Sequence, residues 1–326
     1  MHAVHVVGAG GIGCAVGYAL LKAGVAVTFV EANSAKVETG RRDGVSVDAR
    51  PARSAEFRYF DEWNPLPGVP VLLCTKCYDN AAVLAKLPAD ATLIPIQNGF
   101  ENLLLARGHA VEGVASFVSE CDRDRPHTRI TRRGELHIGG RGADLQRAAV
   151  TPELLRALAG CELFRLVEVL DISPIKHAKL MYNAAISPLA AAAGIDNGQL
   201  LSVTAARKLF FALLQENHRI LRAAGIALGK VGPFYPSTVA WILRRKWLAG
   251  IMAKFFEPSL RGTYCSMAGE IQRGRTEIDN YNGHLIHLAA QTGTPSPLNR
   301  TVFELVTKMT AERATPSLAA IAAITS

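Results

Sequence analysis

The chain has 326 residues, 49% hydrophobic and 20% charged, with a formal net charge of +8. That length allows two domains with buried cores, and no run of 18 or more apolar residues suggests a membrane span. The basic excess is scattered: its densest groups are Arg132-Arg133, Arg244-Arg245-Lys246 and Arg273/Arg275, with no long basic block carrying interleaved aromatics. It reads as a solvated basic surface, and neither a nucleic-acid nor a membrane partner is expected.

In chain order, VHVVGAG is an apolar, valine-rich run that predicts a strand. It has no basic segment and cleavage site ahead of it, so a secretory leader is not expected and a cytoplasmic location is. GGIGCAVGYALLKAG predicts a helix closed by Gly24, and VAVTFVEAN a second strand. Strand, helix and strand within about 30 residues make a βαβ unit. VPVLLCT (69–75) and ATLIPIQ (91–97) continue the strand series around a helical YDNAAVLAKL, as in a parallel, doubly wound sheet. VASFVSE, TRITRRG and GELHIGG predict short strands, followed by TPELLRALAG as helix and CELFRLVEV as strand. After Ile172 the spacing turns helical in SPIKHAKLMYNAAISPLAAAA, TAARKLFFALLQENHRILRAAG and RTEIDNYNGHLIHLAAQTG, and Ser173-Pro174 suits the start of the first of these. The reading is an α/β fold: an N-terminal Rossmann-type doubly wound sheet over 1–170, then an all-helical C-terminal domain over 171–326. The tail 314–326 reads as a loosely docked or frayed helix.

Gly8-Ala9-Gly10-Gly11-Ile12-Gly13 spells G-x-G-x-x-G between a predicted strand and a predicted helix, with Glu31 at the end of the next strand. In that context the motif predicts a dinucleotide site. Gly8 permits the tight turn, Gly10 lets a pyrophosphate approach the backbone, and Gly13 lets helix and strand pack closely. The amides of the helix N-terminus, from Gly11 and Ile12 onward, face the phosphates. A carboxylate at Glu31 suits a ribose diol and repels a 2′-phosphate, which favours NADH over NADPH.

CTKCYDN (74–80) carries C-x-x-C, yet no second cysteine or histidine pair completes a metal site, and no metal is expected. The six cysteines are dispersed, and a disulfide framework is not expected. Cys74 reads as a small apolar residue at a strand end. Lys76 falls beyond the carboxyl end of a parallel strand, the edge where doubly wound sheets bind ligands.

In KHAKLMYNAAISP, Lys179, Asn183 and Ser187 recur every four residues and therefore share one helix face, with Lys176 off it. On periodicity alone, a polar stripe facing water is the simpler reading. In GRTEIDNYNG, Glu277 and Asp279 sit near a helix start, where acidic residues usually serve the helix dipole.

Taken in order, GAGGIG, TKCYD, QNGFEN, KLMYNAAISPLAA, DNG and the SM…GRTEID segment resemble the ketopantoate reductase (2-dehydropantoate 2-reductase) family along nearly the whole chain. The resemblance implies an NAD(P)H-dependent oxidoreductase of pantothenate biosynthesis, delivering hydride to the C2 carbonyl of a small anionic 2-oxo acid. It implies Lys179 as the general acid, with Glu277 near the lysine and the substrate hydroxyl. It implies Asn183, Ser187 and Ser266 as substrate contacts, Asn98 near nicotinamide and substrate, and Lys76 at the cofactor cleft. This chain departs from the family's pattern in four places. Ser187 stands where asparagine is frequent, the Ser266–Glu277 spacing is one residue short, the family's asparagine a few residues before that serine has no match in RGTYC, and Glu31 stands where the NADPH-using members place a basic residue. Alternatives are a reductase of another branched 2-oxo acid or an imine, and a dinucleotide-binding sensor without turnover. Aromatic-rich segments such as KFFEPSL and AWILRRKW suit burial in a homodimer or in the chain's own core.

Overall fold

The computed structural model describes residues 2–141, 152–322 and 324. Thr151, which opens the expected TPELLRALAG helix, and residues 323, 325 and 326 of the tail lie outside them. The chain divides into two compact units, Met1–Gln97 with Glu101–Ser173, and Asn98–Phe100 with Pro174–Ser326.

The first unit starts with β1 (Ala3–Val7), α1 (Gly11–Lys22), β2 (Ala26–Glu31), α2 (Ser34–Asp43), β3 (Ser46–Val47) and β4 (Glu56–Tyr59). It continues through β5 (Val71–Leu73), a 3₁₀ turn over Cys77–Asp79, α3 (Asn80–Lys86), β6 (Leu93–Pro95) and α4 (Asn102–Arg107). Five strands form one sheet in the order β4-β2-β1-β5-β6, and every pairing is parallel. β5 and β6 are buried at every position, the continuous apolar pattern of strands covered on both faces. The chain leaves β1 toward β2 on one side and later returns to β5 on the other, so the switch point lies between β1 and β5.

The unit then adds β7 (Val111–Ala115), β8 (Val118–Cys121), β9 (His127–Arg132), β10 (Glu135–Gly140), α5 (Pro152–Ala159) and β11 (Arg165–Asp171). These strands form two small sheets, β11-β10-β7 and β3-β9-β8. The Ile96–Gly113 bridge runs on from the parallel sheet toward the first of them.

Among the described residues no strand follows Asp171. Its carboxylate accepts from the Ser173 amide at 2.9 Å, where α6 (Ser173–Ala193) begins. Then come α7 (Gln199–Ser202), α8 (Thr204–Ala223), α9 (Pro236–Leu243), α10 (Lys246–Phe256), α11 (Glu270–Arg273), α12 (His284–Gln291), α13 (Pro297–Ala311) and α14 (Leu318–Ala322). The core of the second unit is built on α6, whose Leu180, Ala184, Ala185 and Leu189 are fully buried and pack with Leu213, Tyr281 and Val302. Alanines let neighbouring helices approach α6 closely while leaving its propensity high.

Pro188 interrupts α6 from within. Proline has no N–H, so the Ala184 carbonyl loses its helical partner. Asn282 supplies a replacement: its Nδ2 donates to Ala184 O at 2.9 Å and to Asn299 Oδ1 at 2.9 Å. The Asn299 amide in turn donates to Glu216 Oε1 and Asn217 Oδ1, and Asn217 Nδ2 donates to Met181 O. Glu216, Asn217, Asn282 and Asn299 are all buried. This polar network ties α6, α8 and α13 to the turn before α12, in an interior where an unpaired polar group is costly.

Candidate active site

The first unit presents a backbone site at its switch point. Gly8 follows β1 with φ +96°, a conformation that side-chain-bearing residues rarely adopt. A Cβ there would meet the Cys74 carbonyl carbon and the Thr75 nitrogen at 2.9 Å, so the turns after β1 and β5 touch. A Cβ on Gly13 would overlap the Gly8 carbonyl oxygen, and one on Gly11 would overlap Ser119 Oγ of β8. Around Gly10 nothing lies within 4 Å of the same position. The loop is thus packed tightly on one side and open at Gly10. The first helical bond of α1 is Cys14 N to Gly10 O, and no side chain caps the helix. The leading amides of Gly11, Ile12 and Gly13 therefore keep no side-chain cap, which suits a bound anion. By these observations the loop fits a dinucleotide pyrophosphate.

Glu31 is held at the head of this loop. Its Oε2 accepts from the Ala9 amide at 3.0 Å, and its Oε1 accepts from the Ala32 and Asn33 amides at 2.8 and 3.0 Å. Lys76 lies in the turn after β5, directly before the 3₁₀ turn. Buried Gln97 fixes that turn: its Nε2 donates to Thr75 O at 2.8 Å and to Asn80 Oδ1 at 2.7 Å, while Asn80 Nδ2 donates back to Gln97 Oε1 at 3.1 Å. Sequence reasoning passed over Gln97 and Asn80, because a reciprocal amide pair has no local signature. Of the C-x-x-C residues, Cys74 is half-buried, and desolvation pushes its thiol up to about 12. Cys77 is 1% exposed.

The second unit gathers side chains. Lys179, Asn183 and Ser187 lie on α6, and successive members sit about 6 Å apart along its axis. Lys179 and Asn183 are half-buried, and Ser187 is buried. Ser187 Oγ is 3.2 Å from Ser266 Oγ, which is 3.2 Å from the Tyr281 hydroxyl, which donates to Glu277 Oε2 at 3.2 Å. Three residues assigned to one site from sequence, Ser187, Ser266 and Glu277, therefore share a hydrogen-bonded chain. Glu277 is 3% exposed and directly precedes the helical segment. Tyr281, fully buried, links it to Ser266 and was missed from sequence. A wide π-type turn over Asp279–Gly283 hides the helical period that would have paired Glu277 with Tyr281.

Asn98 joins this unit through its loop. Phe100 N donates to Asn280 O at 3.1 Å, and Asn280 Nδ2 donates to Phe100 O at 2.9 Å. Phe100 stacks on His284, with centroids 4.4 Å apart and planes at 6°. The Lys176 ammonium lies 4.7 Å from the Phe100 ring centroid, and Lys176 is 2% exposed. The competing lysine is thus spent on packing this loop. Asn98 Oδ1 is buried and has no hydrogen-bond partner among the described residues. An acceptor in that condition is an observation in search of a ligand donor.

A parallel sheet with a glycine turn at its switch point, followed by a helical unit, is the architecture of a Rossmann-type oxidoreductase. The ketopantoate reductase PanE/ApbA family profile matches residues 4–140, and the profile of that family's C-terminal domain matches residues 171–310. The chain belongs to this family. It is similar to the 2-dehydropantoate 2-reductase of Archaeoglobus fulgidus, with 26% identity over 309 residues, covering 93% of this chain and 96% of the relative. Its fold is similar to that of a PanE/ApbA family ketopantoate reductase from Ralstonia eutropha JMP134, with a TM-score of 0.74, 24% identity, and 95% and 99% of the two chains covered. It is also similar to D-mandelate dehydrogenase solved with NADH and anilino(oxo)acetate, with a TM-score of 0.75, 16% identity, and 95% and 99% covered. Among the described residues no helix is long and apolar enough to cross a membrane.

Proposed function

We propose that this chain reduces the C2 carbonyl of 2-dehydropantoate to pantoate with a nicotinamide dinucleotide. The observation that carries this reading is the second unit's constellation: Lys179 and Asn183 on one face of α6, with Ser187, Ser266 and Glu277 joined in one hydrogen-bonded chain. When bound, the dinucleotide supplies the hydride. The Gly8–Gly13 loop holds its phosphates on the open side at Gly10, and Glu31 accepts from a ribose hydroxyl. The fixed carboxylate of Glu31 would repel a 2′-phosphate, so NADH is the preferred donor. Lys76 contributes a cation at the same edge of the sheet.

Lys179 donates a hydrogen bond to the substrate carbonyl oxygen, stabilises the charge that develops there and delivers its proton. Glu277 accepts from the lysine or the nascent hydroxyl. Asn183, Ser187 and Ser266 bind the substrate's polar groups, and the Asn98 side-chain oxygen takes a donor from the bound ligands.

A second reading, reduction of another bulky 2-oxo acid, is favoured by Ser187. Its hydroxyl is engaged with Ser266, and it is smaller than the asparagine frequent in the family, which leaves room beside α6. Initial rates with 2-dehydropantoate and with a panel of branched and aromatic 2-oxo acids, each with NADH and NADPH, test both readings. A fast 2-dehydropantoate reaction with NADH is expected. A negligible rate beside a fast alternative acid would replace the first reading by the second, and no oxidation of either nucleotide with any acid would leave a binding protein. Self-association is proposed through α10, where Trp247, Ile251 and Phe255 recur every four residues and are 69%, 56% and 73% exposed.

A further inference from the structure

Beneath the glycine loop lies a second cluster of reactive side chains, separate from every residue assigned above. Cys14 follows Gly13 in the first turns of α1 and is fully buried. Cys121 ends β8 and is half-buried. Both sulfurs approach one atom, the Ala9 carbonyl oxygen, at 3.2 and 3.4 Å. Buried Lys36 donates to that same oxygen at 3.2 Å, and its ammonium is 3.6 Å from Cys121 Sγ.

This arrangement separates the two thiols electronically. Hydrogen bonding with the Cys121 sulfur holds the Cys14 thiol well above the ordinary cysteine range, and burial adds to the effect. The same hydrogen bond lowers Cys121, with burial opposing and the Lys36 charge assisting. A lowered pKa on the more accessible sulfur, beside an ammonium and a second thiol of raised pKa, is the environment of a reactive and resolving cysteine pair. The C-x-x-C residues differ: desolvation pushes the Cys74 thiol up to about 12, and Cys77 is 1% exposed.

We propose that Cys121 and Cys14 form a peroxide-reactive thiol pair, and that its oxidation loosens the Gly8–Gly13 loop. The Cys121 thiolate attacks the terminal oxygen of a hydroperoxide: an S–O bond forms, the O–O bond breaks, and the leaving oxygen takes a proton to become an alcohol, or water from hydrogen peroxide. Cys14 then attacks the Cys121 sulfenic sulfur. The S–S bond forms, the S–O bond breaks, and hydroxide leaves with the Cys14 proton as water. Two thiols lose two electrons in all, and the hydroperoxide gains them. The disulfide removes the Cys14 S–H donor from the Ala9 carbonyl and draws Cys121 away from the same oxygen, within the turn that Glu31 holds through the Ala9 amide. This last consequence rests on the loop's proposed role in binding the dinucleotide.

The test treats the full-length protein with hydrogen peroxide and maps its peptides by mass spectrometry without reduction. A Cys14–Cys121 cross-link that dithiothreitol reverses is expected, with the other cysteines still free. Cys14→Ser should leave Cys121 as a sulfenic acid that a dimedone probe traps, and Lys36→Met should slow that trapping at least several-fold. Titration with NADH and NADPH before and after oxidation should show several-fold weaker binding, restored by dithiothreitol. Cys121 remaining reduced while Cys265 or Cys74 oxidises overturns the proposal, as does a cross-link formed with no change in affinity. If the reduced protein binds neither nucleotide, the dinucleotide reading fails, and the peptide map still decides the thiol chemistry.

Discussion

The two units prepare their chemistry in opposite ways. In the first, the glycine loop offers backbone amides, and its path requires that side chains be absent at Gly8 and Gly13 while Gly10 stays open. In the second, α6 offers side chains, and their placement depends on a buried polar network that repairs a broken helix at Pro188. A backbone site is local, so it survives as a short motif with fixed spacing. A side-chain site is assembled from residues up to 98 positions apart, as between Ala184 and Asn282, and no local pattern announces it.

The largest expected effect breaks the second unit's side of this contrast. Lys179→Ala should lower kcat/KM for the accepted 2-oxo acid by about 10³-fold, the scale of losing an acid that also stabilises the developing charge. Steady-state kinetics would measure it, and nucleotide titration should return the wild-type affinity. A loss of only a few-fold would remove Lys179 from the reaction.

Next come two glycines that separate packing from binding. Gly10→Ala places its Cβ in open space, so thermal stability should be unchanged while nucleotide affinity falls by an order of magnitude or more. Gly13→Ala drives its Cβ into the Gly8 carbonyl, so stability should fall by about 1–3 kcal/mol in denaturant titration. Equal effects at the two positions would contradict an open side at Gly10.

A third test concerns the repaired helix. Asn282→Leu strands the Ala184 carbonyl and should cost about 1–3 kcal/mol. Pro188→Ala returns a backbone N–H to that carbonyl, so in this background the same substitution should cost at least about 0.5 kcal/mol less. A strictly additive double-mutant cycle would mean that Asn282 acts elsewhere.

The smallest effect is a pH dependence in the first unit. Burial lowers the pKa of His5, assisted by the charge of Arg58, and its Nδ1 accepts from Trp63 Nε1 at 3.0 Å. The unfolded chain therefore binds this proton more readily than the folded one. His5 thus contributes stability that is fully present above its ordinary value of 6.5 and is lost as pH falls below 6.5 toward the lowered folded value. Thermal melts between pH 7.5 and about 5 should show a shallower decline for His5→Gln than for the parent.

Much of the fold was legible in advance. The strand before Gly8, the helix ending near Gly24, the strand ending at Glu31 and the helix over 173–193 all follow from apolar period and glycine placement, and all are present. β4, a full member of the parallel sheet, went unread, because EFRY is only four residues long and lies between polar loops. In the candidate site, Lys179, Asn183 and Ser187 were visible as a stripe, since four-residue spacing is a local property. Tyr281, Asn282 and the Gln97–Asn80 pair were not, because Tyr281 reaches Ser266, Asn282 reaches Asn299 and Gln97 reaches Asn80, each 15 or 17 residues away.

Composition, periodicity and glycine spacing by themselves determined the parallel α/β unit, its switch-point loop and the helical second unit. These depend on interactions within a few turns of chain. Only the tertiary structure decided that Ser187, Ser266 and Glu277 share one hydrogen-bonded chain, and that Asn282 replaces the hydrogen bond Pro188 removed. It also brought Cys14 and Cys121 together around one carbonyl oxygen. The reason is common to all three: a buried polar atom must find a partner, and long-range packing decides which side chain is within reach.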